Sequence, residues 1–186
     1  MSDSHKERFK KTVERLAAEV SILLTEQVAL EELSGAVANQ LVSVSQIALL
    51  GDRLARLIRI LEDDSRREVA GFWYLTRCEP NRVALKSEDE KYLRDMATRL
   101  KPIRDKTFFH IDKNGVFDRE AIYAEAKITG NEIVRAIDVL WSILSRLYRD
   151  EFTDQAAAPV WLSNSRPRLK EVFGKDLSQL GLKRQP

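Results

Sequence analysis

Cysteine, histidine, proline and glycine are all scarce in this chain, and each shortage removes a class of reading. A single cysteine, Cys78, excludes an intrachain disulfide framework and a multi-thiolate zinc site, and it fits a reducing compartment, so the cytoplasm is the expected location. With only His5 and His110, chemistry that takes two imidazoles from one chain would have to draw on the N-terminus, where fraying is expected. The 7 glycines and 5 prolines among 186 residues are about half the usual share, while the charged fraction of 32% exceeds the usual quarter. Such a balance predicts a helix-rich globular chain of one domain, with or without a tail. No run approaches the roughly 18 apolar residues of a membrane span, and MSDSHKERFKK leads into an amphipathic segment without a secretory core, so neither a membrane nor a leader is expected. The phosphate loop GxxxxGK[ST], the dinucleotide fingerprint GxGxxG, the zinc motif HExxH and the nucleophile elbow GxSxG are all missing. A di-iron bundle needs Glu three residues before His on one helix face, and Thr107 stands there before His110. No metal and no cofactor are expected.

What the chain does have is helical periodicity. From Phe9 to Leu33, and again from Leu41 to Leu61, apolar residues recur every three or four positions, which predicts two long helices with a turn at Ser34-Gly35. A short helix is expected within Arg66 to Arg82, ended by Glu79-Pro80-Asn81. Ser87 with Glu90, and Thr129 with Glu132, have capping-box spacing, which predicts helices starting at Glu88 and Gly130. Pro102 disfavours helical geometry at Lys101, so a break is expected there, with a new or kinked helix running from Ile103 to Phe109. Asn114-Gly115 reads as a turn, and Asp118 as the cap of a short helix carrying Ile122. No sustained strand alternation and no internal repeat occur. The fold class expected is therefore all-α, an antiparallel helical bundle over residues 1–152, followed at 153–186 by a linker and a basic extension anchored by Trp161 and Phe173.

The net charge of +2 conceals an uneven distribution. Arg94 to Lys113 carries six basic residues against three acids, and Arg166 to Pro186 six against two. Either segment suits phosphate, although runs this mild are commonly solvated faces. Adjacent acids at Glu31-Glu32, Asp63-Asp64 and Glu88-Asp89-Glu90 point to different sides of a helix and read as structural.

The segment with chemical interest is Arg104-Asp105-Lys106-Thr107-Phe108-Phe109-His110-Ile111-Asp112. Imidazole titrates near neutrality and can act as base or acid, and guanidinium offers a planar fork of donors to phosphorane oxygens. Six residues of ideal helix would set Arg104 and His110 roughly 120° and 9 Å apart. To act on one atom they need a tilted Arg end or a second protomer.

Arg104, Asp105 and His110, with five residues between the Arg and the His, resemble the signature of the HEPN superfamily. RDKTFFHID, preceded by the helix bearing Gly51-Asp52-Arg53-Leu54-Ala55-Arg56-Leu57, is similar to its bacterial abortive-infection branch, the AbiU type. The resemblance covers roughly residues 5 to 152 and leaves Arg66 to Arg82 unplaced. It implies an all-α bundle and, as in many HEPN proteins, a metal-independent endoribonuclease acting as a toxin or phage-defence effector. In that role His110 would be base or acid, Arg104 would stabilise the phosphorane, and Asp105 would orient one of them. Lys101, Lys106 and Lys113 would hold neighbouring phosphates. The partners implied are RNA, a second copy forming a shared cleft between paired motifs, and a neutralising antitoxin or neighbouring regulatory protein. The alternative is a non-catalytic HEPN-like module binding nucleic acid or a partner protein. A helper of a nucleotidyltransferase is a weaker third.

Overall fold

The computed structural model describes residues 3–34, 40–63, 71–105, 119–153 and 158–179. Among these the chain is all-α, without a strand, and no helix is long and apolar enough to cross a membrane. The spine is α1 (Asp3–Ser34). Its stripe of Phe9, Val13, Leu16, Val20, Leu23 and Leu24 is at most 4% exposed, the narrow apolar face that a 3.6-residue period produces. On it pack α2 (Gln40–Leu61) and α7 (Gly130–Glu151), both in extensive contact with α1. Each fully buried leucine contributes roughly 1.5–3 kcal/mol, and truncating one to alanine would cost about 2–5 kcal/mol.

Two short helices, α3 (Phe72–Cys78) and α4 (Pro80–Val83), fill the region the sequence marks as mixed. The Trp73 indole, 1% exposed, donates its Nε1–H to the carbonyl of Leu61 at 2.8 Å, satisfying an acceptor that the end of α2 leaves open. A side chain at Gly71 would come within 3.1 Å of the Glu62 carbonyl, so this close approach of backbones favours glycine. Pro80 opens α4 at its first turn, where a missing N–H costs nothing.

The helix α5 (Ser87–Ile103) corrects two expectations. Lys86, not Ser87, is its N-cap, and no side chain caps it. Glu90, the expected partner of Ser87, pairs with Arg94 at 2.9 Å instead. Nor does Pro102 break the helix, which runs through it to Ile103. Leu100 and Ile103 are each 1% exposed on one face, and burying Ile103 contributes roughly 1.5–3 kcal/mol, enough to offset much of the ~3 kcal/mol that an interior proline costs. The disturbance is passed onward, and Arg104 and Asp105 lie in a wider π-type turn.

After α6 (Arg119–Ala126), the expected cap of α7 is present in full. Thr129 accepts from the Glu132 amide, and the Glu132 carboxylate accepts the Thr129 N–H at 2.8 Å. Glu132 also binds Arg99 on α5 at 2.7 Å, and these bonds, the one from Arg99 foremost, hold its carboxyl down at about 2. The expected cap Asp118 and the turn Asn114-Gly115 lie outside the described residues.

The N-terminus is helical from Asp3, with His5 half-buried. The C-terminal extension lies along the bundle. A 3₁₀ turn at Val160–Ser163 and α8 (Arg166–Gln179) both pack on α1. Trp161 meets Trp141 and Tyr148 edge-on, with ring centroids 6.5 and 4.8 Å away.

Candidate functional site

The C-terminal ends of α2 and α5 meet, and Arg104 is where they join. Its Nη1 donates to Glu62 Oε1 at 2.7 Å, and its Nε to Asp105 Oδ1 at 2.7 Å. The guanidinium is thus oriented by one carboxylate next to it in sequence and one at the end of α2. Beside it, Asp63 receives Arg77 of α3 at 2.6 Å and Arg94 of α5 at 3.5 Å. Arg94 lies over the ring of Trp73, 4.1 Å from its centroid, so an aromatic surface and a carboxylate fix it together. Lys101 is exposed one turn before Arg104.

Of the residues expected to act, the structure therefore brings together Arg104 and Asp105, with Lys101 nearby. His110, Lys106 and Lys113 lie outside the described residues. Glu62, Asp63 and Arg77 belong to the same cluster and were not singled out as functional by the sequence reading. One signal was available, because successive acids at the C-terminal end of a helix oppose its dipole unless cations meet them. Here three arginines do.

A second polar cluster lies higher on α2, where it meets α1. Arg53, 5% exposed, donates to Gln27. One turn away Arg56 binds Asp52 and Glu19, each at 2.7 Å, and Glu26 at 3.3 Å. Burial first, and then the hydrogen bond and charge of Asp52, push the Glu26 carboxyl up to about 8, against the pull of Arg56. Asp52 is held below its ordinary value, chiefly by the hydrogen bond from Glu26. The proton of this pair therefore resides on Glu26. The string Gly51 to Leu57 that carries part of the family resemblance thus builds the seam between α1 and α2.

Two cations of the basic C-terminal extension, Arg166 and Lys170, are paired with acids of the bundle. Arg166 binds Glu31 at 2.7 Å and Asp138 at 3.0 Å, while Lys170 binds Glu31 at 3.0 Å. These two cations hold α8 on the bundle and are committed to carboxylates there. Among the described residues, no group of three or more His, Cys, Asp or Glu side chains could hold a metal ion. Neither a protein-family model, nor a curated protein, nor a solved structure matches the chain.

Proposed function

We propose that this protein is a metal-independent endoribonuclease of HEPN type, acting as a toxin or abortive-infection effector in the cytoplasm, with Arg104 and His110 at its centre. The observation that carries this reading is the orientation of Arg104 by Glu62 and Asp105 at the mouth of the segment that bears His110. A guanidinium prepared in this way presents fixed donors where charge develops, and such preorganisation is the largest electrostatic aid to phosphoryl chemistry. In the proposed reaction His110 removes the proton of a 2′-hydroxyl, which attacks the adjacent phosphorus. The bond to the 5′-oxygen breaks, that oxygen takes up a proton, and a 2′,3′-cyclic phosphate remains. Arg104 binds the phosphorane oxygens, and Lys101, Lys106 and Lys113 hold flanking phosphates.

Six residues of ideal helix set Arg104 and His110 about 120° apart, and a cleft shared by two protomers is the proposed way to bring an Arg104 and a His110 to one phosphate. An antitoxin or neighbouring regulatory protein completes the proposed set of partners.

One observation favours the non-catalytic alternative, a helical module binding nucleic acid or protein. Arg104 already has two carboxylates, which offset the positive charge that would draw a phosphate to it. RNA cleavage in EDTA separates the readings. The ribonuclease reading expects wild-type cleavage to persist, and to fall by about 10²–10⁴ in His110→Ala, the usual contribution of general acid or base catalysis. Binding without cleavage by the wild type would leave the module reading in its place.

A further inference from the structure

The N-terminal turns of α1 extend beyond the end of α2. The two helices run antiparallel, since Glu19 meets Arg56 and Arg59 at 2.7 and 3.9 Å while Gln27, two turns further along α1, accepts from Arg53. Glu19 is thus level with the last turn of α2, which ends at Leu61. Arg15, about one turn earlier, is level with that end, and three more turns of α1 lie past it. At 100° per residue, Arg8, Arg15, Glu19 and Glu26 fall within about 40° of one another around α1. The stripe that meets Arg56 through Glu19 and Glu26 is therefore continued beyond α2 by Arg15 and Arg8. Its charge changes sign where α2 stops.

A groove of about 420 Å³ lies there, lined among the described residues by Ser4, Glu7, Arg8, Lys11, Thr12 and Arg15. Thr12, 4% exposed, donates its hydroxyl to the Arg8 carbonyl at 2.8 Å and so offers no donor to a ligand. Arg8, Lys11 and Arg15 are all exposed. Glu7, the one acid of this lining, pairs with Lys11 at 3.2 Å, with the two side chains 62 and 72% exposed. Ion pairs that open to water are weak, so Glu7 does not withhold Lys11 from a stronger anion. Glu19, one turn from Arg15, is engaged by Arg56 and Arg59.

A cleft whose charge is mainly of one sign concentrates ligands of the other. The cations here follow one another at three and four residues, spanning about 10 Å of helix. A single carboxylate would engage one of them, whereas a linear chain of phosphates engages all three in turn, and the guanidinium fork matches a phosphate's oxygens. The line continues beyond the groove. Past Glu19 comes Arg59, 53% exposed, and three residues further along α2 stands Glu62, the partner of Arg104 at 2.7 Å. We infer that the groove is a phosphate track, in which a single RNA strand lies along α1 past the end of α2, gives successive phosphates to Arg8, Lys11 and Arg15, and passes Arg59 toward Arg104. That the strand is RNA rests on the proposed ribonuclease activity. The groove itself asks only for a flexible phosphodiester chain.

Binding of a fluorescent 2′-O-methyl RNA strand of about 12 nucleotides, a length within the footprint of single-strand grooves, tests the track in the full chain. Such a strand keeps its phosphates but has no free 2′-hydroxyl to attack, so binding is read apart from cleavage. In fluorescence anisotropy at about 0.1 M salt, the combined Arg8→Ala, Lys11→Ala and Arg15→Ala variant should bind at least about tenfold more weakly than wild type. The slope of log affinity against log salt should fall by about 2, since each phosphate contact on a single strand contributes about 0.7. Alanine at Lys91, Arg168 and Lys175, three exposed cations of α5 and α8, removes the same charge and should leave the slope at its wild-type value. If the first variant melts early, Lys11→Ala alone, at a side chain 72% exposed, should still weaken binding about fivefold at that salt. A wild type that does not bind the strand overturns the inference, as do equal losses in the two triple variants, because net charge alone would then attract RNA. Unchanged affinity with a lower melting temperature also overturns it and assigns the three cations to the negative end of α2. Binding through the groove by a wild type that never cuts unmodified RNA keeps the track and removes the ribonuclease reading. Cleavage at the wild-type rate by the groove variant keeps that reading and overturns the track.

Discussion

The Arg104 guanidinium and its two carboxylates are partly exposed, with side-chain exposures of 23% for Arg104, 25% for Glu62 and 42% for Asp105. Ion pairs in such surroundings contribute about 0–1 kcal/mol to stability, so their effect here is mainly on orientation. Glu62→Gln should therefore leave the unfolding free energy within about 1 kcal/mol of wild type by denaturant titration. Under the ribonuclease reading it should slow cleavage roughly ten- to a hundredfold through misplacement of Arg104. Arg104→Lys keeps the charge but loses the planar fork, and should recover little of the activity that Arg104→Ala loses. Arg104 and Asp105 were legible in the sequence because the motif places them side by side. Glu62 was not, since its role depends on α2 ending against α5, 42 residues away in the chain. Glu26 gives a test by pH. Its folded value of about 8 lies above the ordinary 4.5, so the stability it contributes is fully present below about 4.5 and is lost as pH rises through about 8. Thermal melts of Glu26→Gln should show a weaker decline than wild type between about pH 5 and about pH 9.

The two capping-box spacings had opposite fates, and local sequence could not tell them apart. Thr129 and Glu132 close their box, with Arg99 reinforcing the carboxylate, whereas Ser87 is the first residue of its helix and Glu90 pairs with Arg94. Thr129→Ala should therefore cost about 1 kcal/mol, and Ser87→Ala should be nearly neutral, by the same denaturation measurement. The long helices were legible throughout because burial of one face follows directly from a 3.6-residue period. The Pro102 break was misread for a related reason. The local preference against helix at Lys101 is real, but it competes with the burial of Ile103 against the core, which no local rule contains. Pro102→Ala restores the missing N–H and should stabilise the fold by about 1–3 kcal/mol. It should also relax the π-type turn, and under the ribonuclease reading it should lower cleavage as Arg104 shifts.

Across the whole molecule, α1 contacts α2, α3, α7, the 3₁₀ turn and α8. The segment beyond the boundary expected after residue 152 covers a face of α1 and α7. Its hold comes from the buried Leu162 and Leu169, the ring contacts of Trp161, and Arg166 between Glu31 and Asp138. Ending the chain after Phe152 should therefore cost roughly 3–6 kcal/mol, about what two buried leucines contribute, and should expose Trp141 and Tyr148 to a fluorescence quencher. The central claim, that Arg104 and His110 cut RNA through its own 2′-hydroxyl, is tested most directly by identifying the ends of the RNA fragments that purified protein makes in EDTA. The account predicts 2′,3′-cyclic phosphate and 5′-hydroxyl ends, formed about 10²–10⁴ times more slowly by His110→Ala. Fragments with 5′-phosphate ends, or cleavage by His110→Ala and Arg104→Ala at the wild-type rate, would contradict it.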